Sequence, residues 1–163
     1  MNARIWMTMG LVWAATLVGA APAHATAAWT QDYEAAKRQA EATGRPILAL
    51  FTGSDWCPPC KQFEKEVAYS RTFLGFTAGR VVLLKLDFPR NMLQSPALMA
   101  QNEALAERIG GEEFPRFYLL DAKGEVLAKL DMRKPRRASS FEDVVVQALA
   151  ESLASTNRVK RPG

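Results

Sequence analysis

Apolar residues fall along this chain in blocks with two distinct periods. Residues 47–51 (ILALF) and 81–87 (VVLLKLD) are short, nearly continuous apolar runs, the pattern of strands covered on both faces. Elsewhere the spacing is helical. Residues 29–43 predict a helix that Thr30 or Asp32 can cap. Tyr33, Ala36 and Ala40 share one face of it, and Gly44 followed by Pro46 ends it. A second helix is predicted from residues 56–60 to about Tyr69, with Phe63 and Val67 on its buried side. Pro96 opens a third, running to Ile109, whose candidate core contacts are Leu98, Leu105 and Ile109. Residues 117–120 and 125–130 predict two strands. The turn between them, Asp121-Ala122-Lys123-Gly124, has glycine where positive φ is needed. A last helix begins at Ser139 or Ser140, and Phe141, Val144, Val145, Ala148, Leu149 and Leu153 recur at helical spacing.

The predicted order is therefore α-β-α-β-α-β-β-α. Alternating helices and buried strands imply an α/β fold, a central mixed sheet with helices on both faces and an antiparallel edge from the last hairpin. Neither an internal repeat nor a second domain is visible.

The first 25 residues have a different character. Arg4 is the only charge before Asp32, residues 5–20 are apolar apart from Thr and Gly, and Ala23 and Ala25 are small residues suited to a cleavage site. This is the secretory pattern, with cleavage expected after Ala25 and an uncleaved membrane anchor as the competing reading. The expected division is thus a signal peptide over 1–25, one domain over 26–155 and a basic tail over 156–163. Removal of the leader also removes His24, the only histidine. The exported chain then has no imidazole for Cys–His or Ser–His–Asp catalysis or for metal ligation. Export places Cys57 and Cys60 where disulfides form and persist.

Composition adds less. With 48% hydrophobic and 23% charged residues the chain is globular rather than disordered. A net charge of +4 does not require a nucleic-acid partner. Arg133, Lys134, Arg136 and Arg137 form one basic run, and Arg158, Lys160 and Arg161 another. Such runs are usually solvated, with weak attraction to anionic membrane surfaces as the alternative.

The strongest chemical signal is Trp56-Cys57-Pro58-Pro59-Cys60 at a predicted strand–loop–helix junction. Unpaired N–H groups and the dipole at a helix start stabilise a Cys57 thiolate. Cys60, one turn on, is placed to attack a mixed disulfide formed at Cys57. Two other readings stay open: a purely structural disulfide, and Cu(I) handling by the thiolates with Met92, Met99 or Met132. Phe114-Pro115 is the second signal. It is either a proline opening a strand, or a cis peptide that leaves the Phe114 backbone free to pair with an extended substrate.

From these residues the chain resembles the thioredoxin superfamily. The matching pieces are ILALF, Trp56 to Lys61, VVLLKLD, and Phe114-Pro115 followed by FYLLD, the Gly124 turn and a closing strand. It is especially similar to exported thioredoxin-like proteins with an F-T-G-S-D-W-C opening and a D-F-P-R segment, here Phe51 to Cys57 and Asp87 to Arg90. The resemblance implies a thioredoxin-like fold and a redox-active disulfide, with Cys57 attacking and Cys60 resolving. It also implies a cis Pro115 lining the substrate groove, where Trp56 and Phe114 are the further candidates for substrate binding. It departs from thioredoxins at Leu50, at or near the place of their buried acid, while Lys85 matches their usual lysine. Asp55 and Lys85 are accordingly the candidates for proton handling, with water as the default carrier.

Pro58 and Pro59 delete two N–H groups beside the sulfur, and no histidine lies between the cysteines. A moderate thiolate and a reducing or intermediate potential are expected. The expected function is a periplasmic thiol:disulfide oxidoreductase without metal or organic cofactor. Its partners would be protein or small-molecule thiols and disulfides plus a separate redox partner. Nucleic acid, stable membrane insertion after cleavage and oligomerisation are not expected. Partner capture by a non-catalytic module is the alternative, beside Cu(I) handling.

Overall fold

The computed structural model describes residues 28–111, 113–132 and 139–159. Its elements are β1 (Trp29–Thr30), α1 (Tyr33–Thr43), β2 (Ile47–Thr52), α2 (Pro58–Glu66), α3 (Arg71–Thr77), β3 (Val82–Asp87), α4 (Pro96–Ile109), β4 (Arg116–Leu120), β5 (Val126–Lys129) and α5 (Phe141–Val159). The strands form one mixed sheet in the order β1-β3-β2-β4-β5. β3 runs parallel to β1 and β2, while β4 is antiparallel to both β2 and β5. The expected mixed sheet with helices on both faces is the one observed.

Strand alternation sorts the side chains into two cores. Leu48 and Leu50 of β2, Leu83 of β3, and Phe117 and Leu119 of β4 meet Phe63 of α2, Phe73 of α3, and Val145 and Leu149 of α5. On the other face Ile47, Ala49 and Phe51, with Leu84, Leu86, Tyr118 and Leu120, pack on Tyr33, Ala36 and Ala40 of α1 and Leu105 of α4. All six residues of β2 are buried, which is why this strand reads as a continuous apolar run instead of alternating.

Several expectations need correction. Trp29 and Thr30 do not open a helix. They form β1, opposite Leu83 and Leu84, and Trp29 stacks on Phe73 while its indole N–H donates to the Ala68 carbonyl at 3.0 Å. Asp32 is the α1 cap, accepting from the Ala35 N–H at 2.8 Å. The second helix ends at Glu66, not near Tyr69, and a separate α3 follows that the periodicity did not reveal. Ser70 starts it, its hydroxyl accepting from the Phe73 N–H at 3.1 Å. In α4, Leu105 and Asn102 are buried, whereas Leu98 and Ile109 are only half-buried. Asn102 is polar but satisfied, donating to the Asp87 carbonyl at 2.8 Å. The final helix extends to Val159, so residues 156–159 are helical where a tail was expected. The expected leader, the basic run at 133–137, and Lys160 and Arg161 lie outside the described residues.

Phe63 links α2 to the sheet. Its ring lies 4.9 Å from that of Phe117 and 5.9 Å from that of Phe73, and the side chain is fully buried. Phe63→Ala should lower unfolding free energy by about 3–5 kcal/mol, read from the urea midpoint. A loss below about 1 kcal/mol would show that α2 is not anchored through this ring.

Candidate active site

β2 ends at Thr52, and the next five residues, 53–57, carry the chain to α2. The Gly53 carbonyl accepts from the N–H groups of Trp56 at 3.3 Å and Cys57 at 2.9 Å, which tightens this loop. Glycine is required here, because a Cβ at position 53 would fall 2.6 Å from Trp56 Nε1. Cys57 is the extended residue that caps α2, and Pro58 and Pro59 occupy the first helical positions. Those positions have no intrahelical acceptor for an N–H, so proline fits them without loss.

Cys57 and Cys60 are joined as a disulfide with their Cα atoms 5.2 Å apart. The sulfurs have different surroundings. Cys57 Sγ accepts from the Cys60 N–H at 3.3 Å and Cys60 Sγ from the Gly53 N–H at 3.5 Å. Cys57 is 3% exposed and Cys60 0%. The helix start therefore offers Cys57 one backbone donor, the other two having been removed by the prolines.

Trp56 is held on three sides. Its indole N–H donates to the Phe88 carbonyl at 2.7 Å, its ring lies 5.4 Å from that of Phe114, and the Arg90 guanidinium sits 3.8 Å above it. The Phe114–Pro115 bond is cis. Phe114 thus brings the proline loop up to the cysteine loop through its contact with Trp56.

The residues proposed for proton handling are occupied otherwise. Asp55 Oδ1 accepts from the Arg90 N–H at 3.0 Å and Oδ2 from the Asn91 N–H at 2.5 Å. Desolvation opposes ionisation of Asp55, but the Arg90 and Asn91 amides outweigh it and hold the carboxyl below the usual aspartate range. Lys85 forms an ion pair with Glu64 of α2. Leu50 lies between Lys85 and Phe117 in the sheet register and is buried in the apolar core.

Three features carried no signal that periodicity could find. Asp87, nearly buried at the end of β3, accepts from the Ser54 N–H at 3.0 Å and the Ser54 hydroxyl at 2.6 Å, fixing the loop before Cys57. Arg90 roofs Trp56. Arg116, the first residue of β4 after cis Pro115, is a buried cation. The first two belong to the segments 51–57 and 87–90, whose joint presence marked the resemblance. The geometry gives the physical reason they travel together: Asp55 and Trp56 grip residues 88–91.

A thioredoxin-like family model matches residues 28–122. The disulfide bond reductase DsbH of Chlamydia pneumoniae is 28% identical over 119 residues, covering 73% of this chain and 71% of that protein. The thioredoxin-related protein DsbJ of the same organism is 32% identical over 125 residues, 77% of this chain but 34% of that one. Of the longer thiol:disulfide interchange protein DsbD of Salmonella typhi, 34% identical over 107 residues, the chain spans 17%. A solved DsbH oxidoreductase structure superposes with a TM-score of 0.69 over 87% of this chain and 95% of that one, at 24% identity.

The lowered Asp55 value has a testable sign. The clasp on residues 90 and 91 is fully present above the ordinary aspartate pKa of about 3.9 and is lost as pH falls through the lower folded value. Trp56 fluorescence should therefore titrate with a midpoint below about 3.9. Asp55→Asn should abolish that transition, and its persistence in the variant would assign it to another group.

Proposed function

The chain belongs to the thioredoxin-like family, and we propose that it is an exported thiol-disulfide oxidoreductase that reduces or exchanges disulfides through Cys57 and Cys60. One observation carries the reading: a disulfide between residues at the start of a helix, its first cysteine the less buried, with a cis Phe114–Pro115 bond whose Phe114 ring meets the neighbouring Trp56. The names of the relatives, a disulfide bond reductase and a thiol:disulfide interchange protein, agree with that chemistry.

In the reducing direction the Cys57 thiolate attacks one sulfur of a substrate disulfide. The substrate S–S bond breaks, a Cys57–substrate disulfide forms, and the departing thiolate takes a proton from water. Cys60 then gives up its proton and attacks Cys57 Sγ. This releases the second substrate thiol and closes the Cys57–Cys60 bond. The substrate gains two electrons and the protein loses two, so a dithiol reductant must reset the pair. The Gly53 N–H is placed on the Cys60 sulfur and supports its charge during attack. With Leu50 apolar, Lys85 paired to Glu64 and Asp55 held by loop amides, water is the carrier of the Cys60 proton. Trp56, Phe114 and Pro115 form the wall against which the substrate chain lies.

The single donor on Cys57 Sγ favours a moderate thiolate, hence a reductant over a strong oxidant. The N-terminal pattern supports export to the periplasm with cleavage after Ala25, leaving a monomeric domain from residue 26. Among the described residues no helix is long and apolar enough to cross a membrane.

Cys57→Ser should reduce turnover of a disulfide reporter to background. Cys60→Ser should accumulate a mixed disulfide that mass spectrometry resolves, and full activity in either variant would remove the reading. The reduction potential should lie nearer to about −270 mV than to about −120 mV, the reducing and oxidising reaches of this chemistry. A value at the oxidising end would reverse the proposed direction.

A further inference from the structure

We propose that the segment after β3 builds a docking pocket for an apolar side chain of the disulfide-bearing substrate, so that a leucine- or methionine-sized residue near a cystine speeds its reduction. The inference deepens the oxidoreductase reading and rests on it. Met92 is 53% exposed, Met99 45% and Leu93 fully. All three line one cavity of about 290 Å³, together with Phe88 and Arg90, which has room for one leucine-sized side chain. Exposed apolar side chains gathered in one concavity mark an interaction site, where the same residues scattered singly would not. Two of the three are methionines, whose unbranched thioethers adapt to apolar groups of differing shape.

The segment is held so that these side chains stay out. Asp55 accepts from the N–H groups of Arg90 at 3.0 Å and Asn91 at 2.5 Å. Beyond them the Gln94 and Asn102 side-chain amides both donate to the Asp87 carbonyl, at 3.3 Å and 2.8 Å. Ser95 then caps α4, its hydroxyl accepting from the Leu98 N–H at 3.3 Å. The chain is thus pinned on either side of residues 92 and 93. Leu93 gains no burial from this fold, so its apolar surface is left for a visiting group.

Continuity with the cysteine loop selects the occupant. The Phe88 carbonyl accepts from the Trp56 indole N–H, and the Phe88 ring lies 5.6 Å from that of Phe114. The Arg90 guanidinium covers Trp56. The cavity therefore lies beside the residue that precedes Cys57. A permanent occupant there would crowd the sulfur that a substrate has to reach, so the occupant must arrive and leave with each reaction. A chain whose disulfide is under attack does this. Cysteine is among the residues most often buried, and before folding such a chain exposes the apolar side chains that will surround it in a core.

Matched peptides test this, each with one intramolecular cystine in an otherwise polar sequence. A single leucine or serine is placed about two to five residues from either cysteine, the reach of an extended chain across Trp56. With dithiothreitol resetting the pair, leucine should raise kcat/KM about tenfold in one register only, through KM. Leu93→Ser and Met99→Gln, both at exposed positions, should each lower the ratio and together bring it near one. Tyr69→Ser, at an exposed residue that does not line the cavity, should leave the ratio unchanged. Equal rates for leucine and serine in every register, an equal gain in every register, or a preference that survives the double variant would overturn the proposal. Self-association that Leu93→Ser abolishes would assign the cavity to a second copy and overturn it as well. Binding of cystine-free versions of the peptides to the oxidised protein separates the two readings. If no cystine peptide is reduced but the leucine peptide binds more tightly, and the double variant loses that difference, the oxidoreductase reading fails and the pocket stands. If all are reduced alike and bind alike, the pocket alone is removed.

Discussion

The cysteine pair depends on the complete burial of β2. Every residue of that strand is inside, between β3 on one edge and β4 on the other, with a core on each face. At roughly 25 cal/mol per Å² of apolar surface, a strand of this composition cannot move without losing several side chains' worth of burial. Its carboxyl end is therefore a fixed point, and the Gly53–Trp56 loop is hung from it. α2 is fixed in turn by Phe63, so both ends of the segment that presents Cys57 are anchored by packing. The reactive element itself needs little intrinsic stability.

Charge around the site is distributed with the same economy. Asp55 and Asp87 both sit close to the cysteines in sequence or space, yet Asp55 is taken up by the amides of residues 90 and 91, and Asp87 by the Ser54 amide and hydroxyl. Lys85 is spent on Glu64. What remains near the sulfurs is backbone N–H: Cys60 to Cys57 Sγ, and Gly53 to Cys60 Sγ. Backbone dipoles do not titrate over the working range of a thiol. Under the proposed function the poise of the pair would then vary with pH through the thiols themselves more than through their neighbours.

Much of this was legible in the chain. The two buried strands, α1, α4, the Gly124 turn and the last helix follow from periodicity and caps, because burial imposes period where an element has one wet face. The corrections come where a long-range contact outweighs local preference. Trp29 is drawn into β1 by its stacking on Phe73, and α3 is a seven-residue helix too short to display a repeat. Asn102 is a polar residue in the core because its amide meets a carbonyl from a distant strand end. At the site, Cys57, Cys60 and Phe114-Pro115 were visible as motifs. Asp87 and Arg90 were visible only as members of a matching segment and Arg116 not at all, since each acts through a partner at least 30 residues away in sequence or through burial that no local pattern encodes.

The sheet ends in short edges. β1 contributes two residues, and β5 four, with an irregular register against β4 and Lys129 as its last residue. Such edges give another polypeptide almost no ladder to extend, and a lysine there discourages pairing further. Under the proposed function the protein would meet disulfide-bearing chains and risk being recruited into their aggregates. This architecture would then restrict such encounters to brief contacts at a loop, leaving the protein free of the material it handles.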